Sequence, residues 1–351
     1  MKAGRGVVVP FLERDDPVDP ARLVAGFVPP PRFADATFEN YYPDPAFPSQ
    51  AEAKRLLQAA AAERQPRGLL SSLLRRAPEG PRGVYLDGGF GVGKTHLLAA
   101  TWHASGGTTG SASGGQRAFL SFQELVYTIG ALGMDEAVRA FSRHALLAVD
   151  EFELDDPGNT LMVATFLSRF MPSGARVVAT SNTLPQQLGE GRFNADDFKR
   201  EIHGIAARFT AMRVDGPDYR HREGLATPAV LDDWQLREAF GAADERKSLV
   251  SFDELNGHLA AMHPIRFAGL LDGIDGLYLE GLRTVDNQDV ALRLVHFIDK
   301  AYDRRVRLLA SGCPLDALFP AEFRRGGYAK KYSRCLSRLG ELLRESQPAR
   351  A

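Results

Sequence analysis

Apolar positions gather in five runs of strand length, at residues 84–86, 118–122, 145–149, 176–180 and 209–214, each separated from the next by a helix-compatible segment. Strands alternating with helices predict a parallel sheet covered on both faces. Ahead of them, residues 49–62 (SQAEAKRLLQAAAA) are rich in helix formers and begin with Ser49 in a capping position. The segment up to about residue 48 carries Pro, Asp and aromatic residues without a sustained period and reads as an extended arm. Residues 104–116 (ASGGTTGSASGGQ) suit no regular element and predict a mobile surface loop. Beyond residue 220, runs at 274–280 and 306–310 flank a helical stretch, 289–304, in which Val290, Leu294, Val295 and Ile298 recur at helical spacing. A last helix is expected over 330–344. Its Lys330, Lys331, Arg334, Arg338 and Arg344 read first as a solvated basic face, with Arg334 or Arg338 reaching a phosphate as the alternative. Three regions follow: an arm and leading helix (1–62), a nucleotide-binding core (63–220) and a C-terminal α+β, lid-like extension (221–351).

The first strand leads directly into GGFGVGKT, residues 88–95, which fits the phosphate-binding pattern G-x-x-x-x-G-K-[ST]. The spacing follows from the chemistry. Gly88 and Gly93 let backbone N–H groups close around anionic phosphates, with Gly89, Phe90, Gly91 and Val92 forming the loop between them. Lys94 reaches the terminal phosphates and the Thr95 hydroxyl ligates magnesium. A helix over 96–103, beginning at His96, points its N-terminal dipole at the same anion. The expected cofactors are therefore ATP and Mg2+.

The third run ends in Asp150 and Glu151, with Asp150 56 residues beyond Lys94. Ligands sit at the carboxyl ends of such sheets, so Asp150 is placed to hold the metal shell and Glu151 to activate the attacking water as general base. The fourth run closes in Thr180-Ser181-Asn182, which offers the Asn182 amide to the terminal phosphate. The fold class is thus α/β, a three-layer P-loop NTPase of the additional-strand (AAA+) type, and no guanine-reading NKxD stands at the expected place. Arg208, where the helix at 198–208 meets the last strand, is either a surface charge or an arginine finger for a neighbouring subunit's nucleotide. Arg200 is the lesser candidate for that role.

Composition narrows the partners. With 43 basic and 44 acidic residues among 351, the net charge is -1, which argues against a dedicated nucleic-acid binder. The two cysteines, Cys313 and Cys335, form no CxxC pair, so neither a disulfide framework nor a zinc site is expected. No apolar run is long enough to span a bilayer and the N-terminal stretch is too short for a signal sequence, which predicts a cytoplasmic protein.

The combination GGFGVGKTHLL, LLAVDEFELDD, VVATSNTLPQQL and the DYR at 218–220, continued by FDEL at Phe252, LRLVHFIDKAYDRRVRLL at Leu292 and LSRLGEL at Leu336, resembles the ZapE-type cell-division ATPases of bacteria and their mitochondrial lactation-elevated relatives. The resemblance spans about residues 35–345. It implies a homo-oligomeric ATPase that remodels a protein partner, the tubulin-like division protein, at the inner face of the membrane, and it favours Arg208 as the finger. The chain departs from the family in the 104–116 insertion, in the VVVPF arm and in Leu342, where Met is usual. A nucleic-acid-handling ATPase resembling a helicase loader is the alternative function.

Overall fold

The computed structural model describes residues 6–14, 24, 26–62, 83–106, 116–154, 156–189, 195–218 and 230–346. The basic stretch before the first strand, most of the glycine- and serine-rich loop, and Tyr219 and Arg220 of the DYR lie outside these residues. The chain divides into two compact units. One comprises residues 19–29 and 33–219, the other residues 1–18, 30–32 and 220–351.

The first unit runs α1 (Pro48–Ala62), β1 (Gly83–Gly88), α2 (Lys94–Ala104), β2 (Gln116–Ser121), α3 (Phe122–Leu132), α4 (Met134–Phe141), β3 (His144–Asp150), α5 (Pro157–Phe170), β4 (Arg176–Ser181), α6 (Lys199–Ala206) and β5 (Phe209–Val214). Its five strands form one parallel sheet in the order β2-β3-β4-β1-β5. Strand side chains alternate between faces, and each face finds its own cover. Leu146 and Ala148 pack with Leu97 and Leu98 of α2 and Ala53 and Leu57 of α1. Leu147 and Val149 pack with Leu125 of α3, Phe141 of α4, Phe166 of α5 and Ile205 of α6. The central strands β1, β3 and β4 are buried along nearly their whole length, which is why these segments read as continuous apolar runs.

Two boundaries differ from expectation for local reasons. Helix α1 begins at Pro48, so Ser49 is inside the helix rather than its cap. Its hydroxyl instead accepts the N–H of Asp215 at 2.9 Å, tying α1 to the end of β5. Helix α2 begins at Lys94, which puts both Lys94 and Thr95 in its first turn.

The second unit runs α7 (Asp233–Ala242), β6 (Lys247–Ser251), α8 (Phe252–Ala261), α9 (Phe267–Leu270), β7 (Gly276–Leu282), α10 (Gln288–Asp303), β8 (Arg307–Gly312) and α11 (Ala329–Ser346). Its strands are parallel in the order β6-β7-β8. To the two expected strands the structure adds β6, too short and too polar at its start (Lys247-Ser248) to stand out by pattern. Leu236 of α7 covers one face with Tyr278 and Leu309, and α8, α10 and α11 cover the other. The arm contributes here as well: Val9 N–H donates to Lys247 O at 2.8 Å, and Phe11 lies in the core.

The solvated basic face expected on the last helix is not what forms. Lys331, Arg334 and Arg338 are buried. Arg334 and Arg338 both pair with the buried Asp299 of α10, at 2.7 and 2.6 Å. Apolar neighbours on both sides of α11 leave its charges inside, where a carboxylate must meet them.

Candidate active site

The C-terminal ends of β1, β3 and β4 meet where the strand order turns back on itself, the position at which open α/β sheets bind ligands. Gly88 closes β1 so tightly against β5 that a Cβ there would lie 2.2 Å from Val214 O. Gly93, at φ 87°, turns the loop into α2, and a side chain there would strike the Tyr41 ring. Tyr41 also donates its hydroxyl to Val92 O at 3.1 Å. The arm therefore backs the phosphate loop, a role with no motif to announce it. Asp218 approaches from the other side, its carboxylate resting where a Cβ on Gly91 would stand.

Lys94 is buried, and its ammonium donates to Gly88 O at 2.9 Å, to Gly89 O and to Asn182 Oδ1 at 3.0 Å. Thr95 Oγ1 lies 3.1 Å from both carboxylate oxygens of Asp150. Thr180 donates to Asp150 Oδ1 and accepts from the Glu151 N–H. Glu151 itself adopts φ 55°, a left-handed conformation uncommon outside glycine. Phe152 N–H donates to Thr180 O at 2.7 Å, so β4 grips the backbone on both sides of the turn that aims Glu151.

Lys94, Thr95, Asp150, Glu151 and Asn182 thus come together at one sheet edge, where Thr180, whose part the sequence did not reveal, ties Asp150 to Glu151. His96 turns the other way, its Nε2 3.0 Å from Thr37 O, and burial lowers its pKa. Phe90, Gly91 and Val92 form the loop crest. Arg208 is elsewhere. Its carbonyl accepts the Gly83 N–H at 3.0 Å at the start of β1, whereas the phosphate loop follows the end of that strand. One strand length, about 17 Å, separates these edges. Arg200 is exposed near the start of α6.

Asp87, beside the site on β1, is buried, and desolvation raises its pKa while Arg213, 3.6 Å away, and Lys94 oppose the rise. The Thr95 hydroxyl beside the Asp150 carboxylate is a hard-oxygen donor pair of the kind that suits Mg2+. Among the described residues no helix is long and apolar enough to cross a membrane.

The chain is 26% identical over 299 residues, 75% of its own length and 78% of the relative's, to the cell division protein ZapE of Escherichia coli K12. Among solved structures it is similar to AMPPCP-bound DnaA from Aquifex aeolicus, at 16% identity and TM-score 0.36, over 52% of this chain and 50% of that one. Domain III of DnaA from Thermotoga maritima gives 18% identity and TM-score 0.39 over 53% and 69% of the two chains. The model of the AFG1-like ATPases matches residues 18–243 and 234–350, which together take in nearly the whole sequence. With the phosphate loop, the acidic strand end and that match in agreement, this chain belongs to the AFG1-like ATPase family.

Proposed function

We propose that the protein is a magnesium-dependent AAA+ ATPase that couples hydrolysis to the remodelling of a protein partner during bacterial cell division, with a tubulin-like division protein as the client. The observation that carries the chemistry is the convergence of Lys94, Thr95, Asp150 and Asn182 through direct hydrogen bonds at one sheet edge. In this reading the phosphate loop and Lys94 hold the nucleotide phosphates, while Thr95 and Asp150 hold Mg2+, which when bound neutralises charge on the transferred phosphoryl group. Glu151 orients and deprotonates the attacking water, and Asn182, already at hydrogen-bond distance from Lys94, reports the terminal phosphate.

Arg208 stands at the edge of the sheet remote from its own phosphate loop, which fits a finger for a neighbouring copy and hence a homo-oligomer in ATP. The division role rests on the similarity to ZapE. Turnover measured with and without polymers of the tubulin-like protein, and with single- and double-stranded DNA, tests the proposal. Stimulation by the polymer and indifference to DNA are expected. Salt-sensitive stimulation by DNA alone would turn the reading toward a nucleic-acid-handling machine.

A further inference from the structure

The second unit repeats the first. Strand β2 runs into its helix as LSFQEL and strand β6 into its helix as VSFDEL. In each the serine, Ser121 or Ser251, caps the following helix by accepting the N–H of Glu124 or Glu254, and donates its hydroxyl to that same glutamate. Opposite Ser121 in the sheet stands Asp150, and opposite Ser251 stands Glu280. The residue after each acid has positive φ, Glu151 at 55° and Gly281 at 76°, and donates its N–H to a hydroxyl on the next strand, Thr180 or Ser311. The helices between these strands are capped by Asp156 and Asn287. Every buried position of α5, from Thr160 to Phe170, falls on a buried position of α10, from Ala291 to Ala301. All these pairs are 130 or 131 residues apart. Even the edges agree, with arm backbone beside β2 at Phe27 and beside β6 at Val7.

The copies diverge where nucleotide would sit. Leu231 pairs with Ser311 in parallel, as Leu86 pairs with Thr180, so it occupies the place of β1. From Leu86 the chain finishes β1 and makes the loop 89–93 before α2 begins, whereas from Leu231 only Asp232 precedes α7. Gly93 offers α2 no side-chain cap. Asp232 caps α7 by accepting the N–H of Gln235 at 2.7 Å, in a reciprocal box. Behind it, Asp233 takes the hydroxyl of Ser311, and Glu280 is held by Arg237. Where the first unit presents a lysine and a hydroxyl at a helix start with no side-chain cap, the second presents carboxylates. Gly281 stands in place of Glu151, and Cys313 in place of Asn182.

We infer that the C-terminal unit is a second copy of the ATPase half-fold whose nucleotide position is closed by its own Asp232 and Asp233, so that it takes no nucleoside triphosphate. The carboxylates supply internally the negative charge that the P-loop unit takes from its ligand.

The test is a nucleotide count on the full chain by equilibrium dialysis against a non-hydrolysable ATP analogue, with melting curves of the same samples. The intact chain is expected to bind one nucleotide, Lys94→Ala none, and Asp232→Ala one, with a lower melting temperature. Asp232→Ser keeps a capping oxygen and is expected to recover most of that loss. Nucleotide retained by Lys94→Ala, or a second one on the intact chain, would overturn the closed position. An unchanged melting temperature in Asp232→Ala would overturn the internal closure. A chain that binds none in either form sinks the ATPase reading of the phosphate loop and leaves the closed second copy standing.

Discussion

The hydroxyl of Thr180 accepts the backbone N–H of Glu151 at 3.2 Å, across the gap between β4 and the end of β3. That bond bears on a residue with an unfavourable backbone conformation, so it fixes where the Glu151 carboxylate points. Thr180→Val removes the acceptor and the donor to Asp150 while keeping the shape of the side chain. The expected result is a fall in kcat of about tenfold or more, corresponding to about 1.4 kcal/mol, with a smaller change in ATP affinity. Thr180→Ser is expected to stay near normal. Glu151→Gln provides the reference: it should bind ATP and fail to turn it over, and ordinary turnover in that variant would remove Glu151 from the role of base.

Arg208 and Lys94 mark opposite edges of one sheet. If Arg208 completes a neighbour's site, Arg208→Ala and Lys94→Ala are each inactive alone and complementary when mixed. A mixed oligomer pairs an intact phosphate loop from one variant with an intact finger from the other. Steady-state turnover of an equimolar mixture is expected to exceed the mean of the separate samples by several-fold, and to rise with protein concentration. A mixture that gives only the mean would return Arg208 to a surface charge.

Tyr41 holds the phosphate loop from behind through Val92 O. Tyr41→Phe loses one buried hydrogen bond, about 1 kcal/mol, and is expected to weaken ATP binding by a few-fold in a fluorescence titration. Gly93→Ala should do more damage. It places an L side chain at φ 87° and sets its Cβ 2.5 Å from the Tyr41 ring, so the loop and the arm cannot both keep their places. Equal effects of the two substitutions would mean that the arm does not brace the loop.

The core and most of the candidate site were legible because they rest on local signals. Leu146 to Val149 read as a strand because both faces of β3 are buried, and the glycines of the phosphate loop declare themselves by spacing. The parts played by Tyr41, Ser49 and Thr180 were not, because each acts through a partner distant along the chain. The basic residues of α11 misled for a similar reason. Arg334 and Arg338 are four positions apart and look like a solvated stripe until α10 brings Asp299 against them. The repeat was open to inspection in SFQEL and SFDEL, yet its meaning depends on register: Asp150 and Glu280 become equivalent only once Ser121 and Ser251 stand opposite them.

Asp299 gives the C-terminal unit its dependence on acid. Burial alone would raise the pKa of this carboxyl, but Arg334 and Arg338 outweigh it and hold the group down at about 2. A carboxyl held below its unfolded value stabilises the fold fully above that unfolded value. The contribution is lost as pH falls from about 4 through the folded value. Stability measured by urea unfolding is therefore expected to drop over that interval, and Asp299→Asn to flatten that part of the curve. At neutral pH Asp299→Asn takes the carboxylate away from two buried guanidinium groups and should cost about 3–5 kcal/mol. Replacing Asp299, Arg334 and Arg338 together by Leu, Met and Met removes the charges along with their desolvation penalty, so this triple variant is expected to recover much of that loss. If it were instead as unstable as Asp299→Asn, the ion pairs would be a net source of stability, and Asp299 would matter for more than balancing the arginines of α11.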